Sequence, residues 1–171
     1  MTDGQPGREP DMRPGIRFGV RLGIDVGSVR VGVAVSDPQA VLASPVETVA
    51  RGAANANRAD LARIADLVAE HAVVEVVVGL PLSLSGARGA AAHTALGYAQ
   101  EIAATIEPVP VRVVDERLST VSAHGHLAAV GIGSRGRRAV VDQAAAVIIL
   151  QSALDTERSS GRAPGEVVNP S

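Results

Sequence analysis

The sequence predicts a mixed α/β fold, one sheet covered by helices, and three observations predict it. Apolar residues alternate on either side of a Gly-Ser break in "RLGIDVGSVRVGVAVSD" (21–37), the pattern of two strands joined in a β-hairpin. A short apolar run, "VVEVVVGLP" (73–81), reads as a buried strand stopped by Gly-Leu-Pro, and "VPVRVVDE" (109–116) reads as another. Stretches with helical spacing separate these runs, so the later strands are reached by helical crossovers and should run parallel to the first.

The elements follow in order. Phe18, Val20, Leu22, Ile24 and Val26 alternate along the first strand, and Val31, Val33 and Val35 along the second, antiparallel to it. A third strand fits Val41 to Val49, although Pro45 demotes it to an edge or a broken strand. A helix is expected from Asn57 to His71, with Leu61, Ile64, Ala65 and Val68 on one face. The fourth strand (73–81), a helix from about Ala87 to Ile106 and the fifth strand (109–116) come next. A helix from about Thr120 to Val130, the loop "GIGSRGRR" (131–138) and a last helix from about Ala139 to Thr156 complete the series. The expectation is a five-stranded mixed sheet in one domain over 16–157, between flexible polar tails at 1–15 and 158–171.

Composition narrows the function. With one Phe, one Tyr and no Trp, stacking of bases on aromatic platforms is nearly excluded. The absence of cysteine removes disulfides and thiolate metal sites and fits a reducing compartment. No signal peptide and no membrane-length apolar run are visible, so a cytoplasmic protein without a membrane partner is expected. The net charge of -2 argues against a broadly basic coat for nucleic acid. All 16 basic residues are arginine, a bias that suits phosphate recognition but more often reflects genome base composition.

Three acids stand where such a topology could gather them. Parallel strands share one edge at their C-terminal ends, where open α/β sheets place their sites. Asp25 ends the first strand there, on the face of Gly23 and opposite Leu22 and Ile24; Asp115-Glu116 ends the fifth. Asp142 stands in the nearly apolar helix "RRAVVDQAAAVIILQ", where an unpaired charge costs several kcal/mol. Taken singly, each acid also suits a structural role: an Asx turn for Asp25, a solvated pair with Arg117 for Glu116, a helix-dipole partner for Asp142. Taken together, three carboxylates suit hard Mg2+ or Mn2+, a pair of which activates water and stabilises the leaving oxygen of a phosphodiester. Arg30, Arg88, Arg117, Arg135, Arg137 and Arg138 flank the same ends and are the candidate nucleic-acid contacts. The four histidines share no helix face and no ligand spacing.

With these segments in place, the chain resembles the YqgF/RuvX family. The stretches that carry the resemblance are "LGIDVGSVRVGVAVSD", "VVVGLPLSLSGARG", "VDERLST" and "RRAVVDQAAAVIILQ", in family order over roughly 20–155. The resemblance implies an RNase H-like fold, with metal-dependent hydrolysis of phosphodiesters. It places the family's acids on Asp25, Glu116 and Asp142 and favours the arginine-rich loop before Asp142 as a substrate contact. Members are described as Holliday junction resolvases and, in bacteria, as nucleases processing the 5′ end of pre-16S rRNA. Two departures bear on substrate contacts: "GSVR" lacks a lysine often present in that turn, and "LSLSGARG" lacks the usual Asn or Asp before its Gly. The resemblance implies a nucleic-acid substrate and leaves two open, structured RNA as the first expectation and branched DNA as the alternative; a symmetric junction resolvase would further require a homodimer. A non-catalytic binding module and an ATP-binding fold of the actin type are the competing classes, the latter needing two such domains where this chain supplies one.

Overall fold

The computed structural model describes residues 17–53, 57–118 and 134–170, with backbone alone for 118 and 134–140. The order is β1 (Arg21–Val26), β2 (Arg30–Ser36), β3 (Ala43–Ala50), α1 (Ala59–Glu70), β4 (Glu75–Leu80), α2 (Ala90–Thr105) and β5 (Val111–Asp115). A 3-10 turn (Glu116–Leu118), helix α3 (Ser134–Ser160) and β6 (Glu166–Val167) follow. The sheet runs β3-β2-β1-β4-β5-β6. β1 pairs antiparallel with β2 and parallel with β4, which in turn pairs parallel with β5.

Alternation along β1 explains the two layers. Leu22 and Ile24 point into a core shared with Ile64 and Leu67 of α1 and Tyr98 and Ile102 of α2. Gly23 faces the other way, against Leu150 of α3. On that face Ala146, Ile149, Leu150, Ala153 and Leu154 form a helical stripe over Ala34, Val77 and Val114. β4, at the centre of the sheet, is buried along its whole length. Each fully buried Leu or Ile contributes about 1.5–3 kcal/mol, so a core in which Tyr98 is the one aromatic ring reaches stability through many aliphatic side chains.

The end of the sheet remote from the acids is clamped by charge. Arg17 bridges Glu75 at 2.9 Å and Glu157 at 2.7 Å, and Arg112 approaches Glu75 at 3.3 Å. Arg21, wholly buried, lies 3.7 Å from Glu157.

Three expectations change. The sheet has six strands, because residues 158–167, expected to belong to a flexible tail, finish α3 and supply β6. Gly165, with φ +71, packs on the Val113 carbonyl where a Cβ would collide, and Glu166–Val167 then pair antiparallel with β5. A two-residue strand is too short to leave a periodic signal. The last helix starts at Ser134, so Arg135, Arg137 and Arg138 belong to α3 and not to a loop. Pro45 does sit on an edge strand, at the point where the β2–β3 register shifts. The expected N-terminal tail (1–15) and the helix over 120–130 lie outside the described residues.

Candidate active site

Asp25, the penultimate residue of β1, is paired across the hairpin with Gly32 of β2. Both therefore belong to the face covered by α3. A Cβ on Gly32 would overlap the backbone carbonyl of Asp142, so the helix lies directly on the strand at this point. That contact sets Asp142 beside Asp25. Glu116 arrives from the other side, in the 3-10 turn that ends β5. Its Oε1 would lie 2.9 Å from a Cβ on Gly79 of β4, and Ile149 of α3 would lie 2.5 Å from it. Gly32 thus leaves room for the backbone of α3 at Asp142, and Gly79 for the Glu116 carboxyl and the Ile149 side chain.

The acids interact. Burial, the charge of Glu116, a hydrogen bond with Glu116 and the charge of Asp142 push the Asp25 carboxyl up to about 7. The rise reflects how poorly this part of the protein tolerates a further negative charge on Asp25 without a cation beside it. Asp142 Oδ2 is buried without a hydrogen bond, 3.4 Å from Arg30 Nε. Among the described residues, no three His, Asp or Glu side chains are already gathered as a metal cage. The donor set nevertheless fits a hard divalent cation: all its donors are carboxylate oxygens, one is orphaned, and their mutual repulsion calls for positive charge.

The predicted arginines divide. Arg30 opens β2 and pairs with Asp142. Arg88 is exposed beyond β4, 3.9 Å from Glu166 of β6. Arg117 spends its guanidinium on Asp115, at 2.5 Å, and donates to the carbonyls of Ser83 and Leu84 at 3.3 Å. It therefore ties the strand end to the loop that precedes Arg88. For Arg135, Arg137 and Arg138 only the helical backbone is described.

A further group beside the site escapes sequence reasoning. Arg51, just after β3, donates from Nη1 to the Gly27 carbonyl at 3.0 Å, and its guanidinium lies 5.2 Å from the centre of the Tyr98 ring. Tyr98 in turn donates to buried Asp60 at 2.9 Å. Burial would raise the Asp60 carboxyl, but hydrogen bonds from Arg58, Tyr98 and the Gly52 and Leu61 amides outweigh it and hold it at about 2. The chain's one tyrosine was the available signal. Nothing in the sequence pairs it with an arginine 47 positions earlier.

Comparison with known proteins identifies the family. The family described as "RuvX: Holliday junction resolvase" matches residues 19–156. A Nocardioides protein named "Putative pre-16S rRNA nuclease" is 56% identical over 84% of this chain and 92% of its own length. A Streptomyces coelicolor protein of the same name is 55% identical over 84% of each. The Thermus thermophilus RuvC structure superposes with a TM-score of 0.50 at 17% identity, covering 86% of this chain and 99% of that one, a likeness of fold. With the family model spanning residues 19–156 and relatives more than half identical, the chain belongs to the RuvX family.

Proposed function

We propose that this protein is a divalent-metal-dependent nuclease that hydrolyses phosphodiester bonds, acting in 5′-end processing of pre-16S rRNA. The observation that carries the reading is the gathering of three acids at one end of the sheet: Asp25 opposite Gly32, the Asp142 backbone seated on Gly32, and Glu116 Oε1 against Gly79. Asp25, Glu116 and Asp142 would hold Mg2+ or Mn2+, which when bound supplies a Lewis acid that activates water and stabilises the leaving oxygen. The Asp25 carboxyl, raised to about 7, must give up its proton before it can hold a metal. Arg30, which pairs with Asp142, and the exposed Arg88 would position the phosphate backbone, with Arg135, Arg137 and Arg138 added from the start of α3. Arg117 contributes by holding the Ser83–Arg88 loop. The names of the Nocardioides and Streptomyces relatives favour RNA as substrate.

The family description favours a second reading, branched DNA as substrate, which would call for a homodimer bearing two sites. Both readings are tested by incubating the purified protein with a pre-16S rRNA 5′ fragment and with a four-way DNA junction, each with and without Mn2+. Cleavage of the RNA that is lost in excess chelator and in Asp25→Asn is expected. Cleavage of the junction alone would move the assignment to DNA, and metal-dependent binding of either without cleavage would make the protein a binding module.

A further inference from the structure

Asp25 sits at the start of an exposed turn, and something has to hold that turn still. Gly27 N–H donates to the Arg30 carbonyl at 2.8 Å, which closes the turn but does not anchor it to the rest of the molecule. Ser28 and Val29 are exposed. The anchor comes from Arg51. Ala50 is the register partner of Arg30, so Arg51 emerges beside the turn. Its backbone N–H donates to the Val29 carbonyl at 3.0 Å, and its Nη1 donates to the Gly27 carbonyl at 3.0 Å. The guanidinium is itself immobilised over Tyr98, whose hydroxyl is fixed by Asp60, and Arg58 packs on the same ring at 5.9 Å while bridging Asp60 and Glu101.

We infer that Arg51 is a positioning residue: it pins the Gly27–Arg30 turn, and through that turn it sets the Asp25 carboxylate and the Arg30 guanidinium that faces Asp142. This rests on the nuclease reading only for its effect on catalysis; the anchoring itself is a property of the metal-free protein. The chemistry requires arginine. A planar cation can lie on an aromatic face and still direct an N–H at a carbonyl, whereas an ammonium makes a point contact. Loss of a group that orients a metal-binding side chain costs on the order of 10- to 100-fold in metal affinity or activity.

The test uses Arg51→Ala and Arg51→Lys in the full chain with four measurements. These are amide hydrogen exchange at residues 27 and 51 without metal, thermal melting, Mn2+ titration by calorimetry, and kcat and KM for cleavage. Faster turn exchange is expected in both variants, with Mn2+ affinity or kcat down on the order of 10- to 100-fold in Arg51→Ala, KM little changed, and partial recovery in Arg51→Lys. Three outcomes overturn the inference. A raised KM with normal exchange and Mn2+ binding would make Arg51 a substrate contact. A lowered melting temperature with kcat, Mn2+ affinity and turn exchange intact would make it a packing residue. Wild-type behaviour throughout would leave it no role. If Arg51→Ala does not fold, Arg51→Lys alone decides by the same criteria. If the wild-type protein cleaves nothing, the nuclease reading fails, while exchange and Mn2+ binding still judge the anchor.

Discussion

Asp25 faces Gly32 across the β1–β2 ladder, and the bare Cα of Gly32 is what allows α3 to set Asp142 beside Asp25. A side chain at residue 32 and an acid at residue 142 cannot both keep their present places.

Gly32→Ala tests this directly. The new methyl would meet backbone, which has no rotamer to yield, so α3 must lift from the sheet. Overpacking of this kind costs about 1–3 kcal/mol or more. A lowered urea midpoint and loss of cleavage are expected together. Gly79→Ala is the contrast, since its methyl would meet the far end of Ile149 and the Glu116 carboxyl. It should cost less stability and act mainly on cleavage. Equal stability losses in the two variants would contradict the account.

Asp25→Asn should abolish cleavage and yet stabilise the metal-free protein at neutral pH. The Asp25 carboxyl is raised from 3.8 to about 7 by burial and by its acidic neighbours. A raised carboxyl favours folding below its unfolded value, and that contribution is lost as pH rises through the folded value. Wild-type protein in chelator should therefore lose melting temperature between about pH 4 and pH 7. The Asn variant should lack that decline and melt higher at about pH 8, with the gap closing toward pH 5. Thermal melts across this range decide it.

Arg88 and Arg117 should separate in binding. Arg88→Ala removes an exposed charge and should weaken nucleic-acid binding across sequences, lowering the salt slope by about 1. Arg117→Ala should leave the salt slope nearly unchanged, because its guanidinium is committed to Asp115 and to the Ser83 and Leu84 carbonyls. Its effect should appear as faster amide exchange over 83–88 and slower cleavage.

Tyr98→Phe should cost about 1–3 kcal/mol at pH 7, since buried Asp60 loses a hydrogen-bond donor. The Asp60 carboxyl is held at about 2, so its contribution is present above its ordinary value of 3.8 and lost as pH falls toward 2. Urea titrations at pH 7 and in acid should show the difference between variant and wild type shrinking as the acid form fills.

Much of this arrangement was legible in the chain itself. Alternation through 18–35 specifies the hairpin, and its period alone puts Asp25 with Gly23 on the face away from Leu22 and Ile24. Asp142 stood out because a charge inside an apolar helix needs a partner. What periodicity does not encode is anything made by a single residue or by distant ones. β6 exists because Gly165 takes a left-handed φ against β5, and two residues leave no pattern. Arg117 looks like a free phosphate ligand until Asp115 and the Ser83–Leu84 carbonyls are seen to claim it.

By itself, then, the sequence determined the order from β1 to β5 with α1 and α2 between them, and set three acids at element ends, because hydrophobic period and burial cost act along the chain. Only the tertiary structure decided which groups those acids meet. The effect of Glu116 on Asp25, the descent of Asp142 onto Gly32 and the hold of Arg51 on Gly27 all depend on close approach between segments far apart in sequence. Such approaches depend on the size of side chains on facing elements, and no local pattern records that.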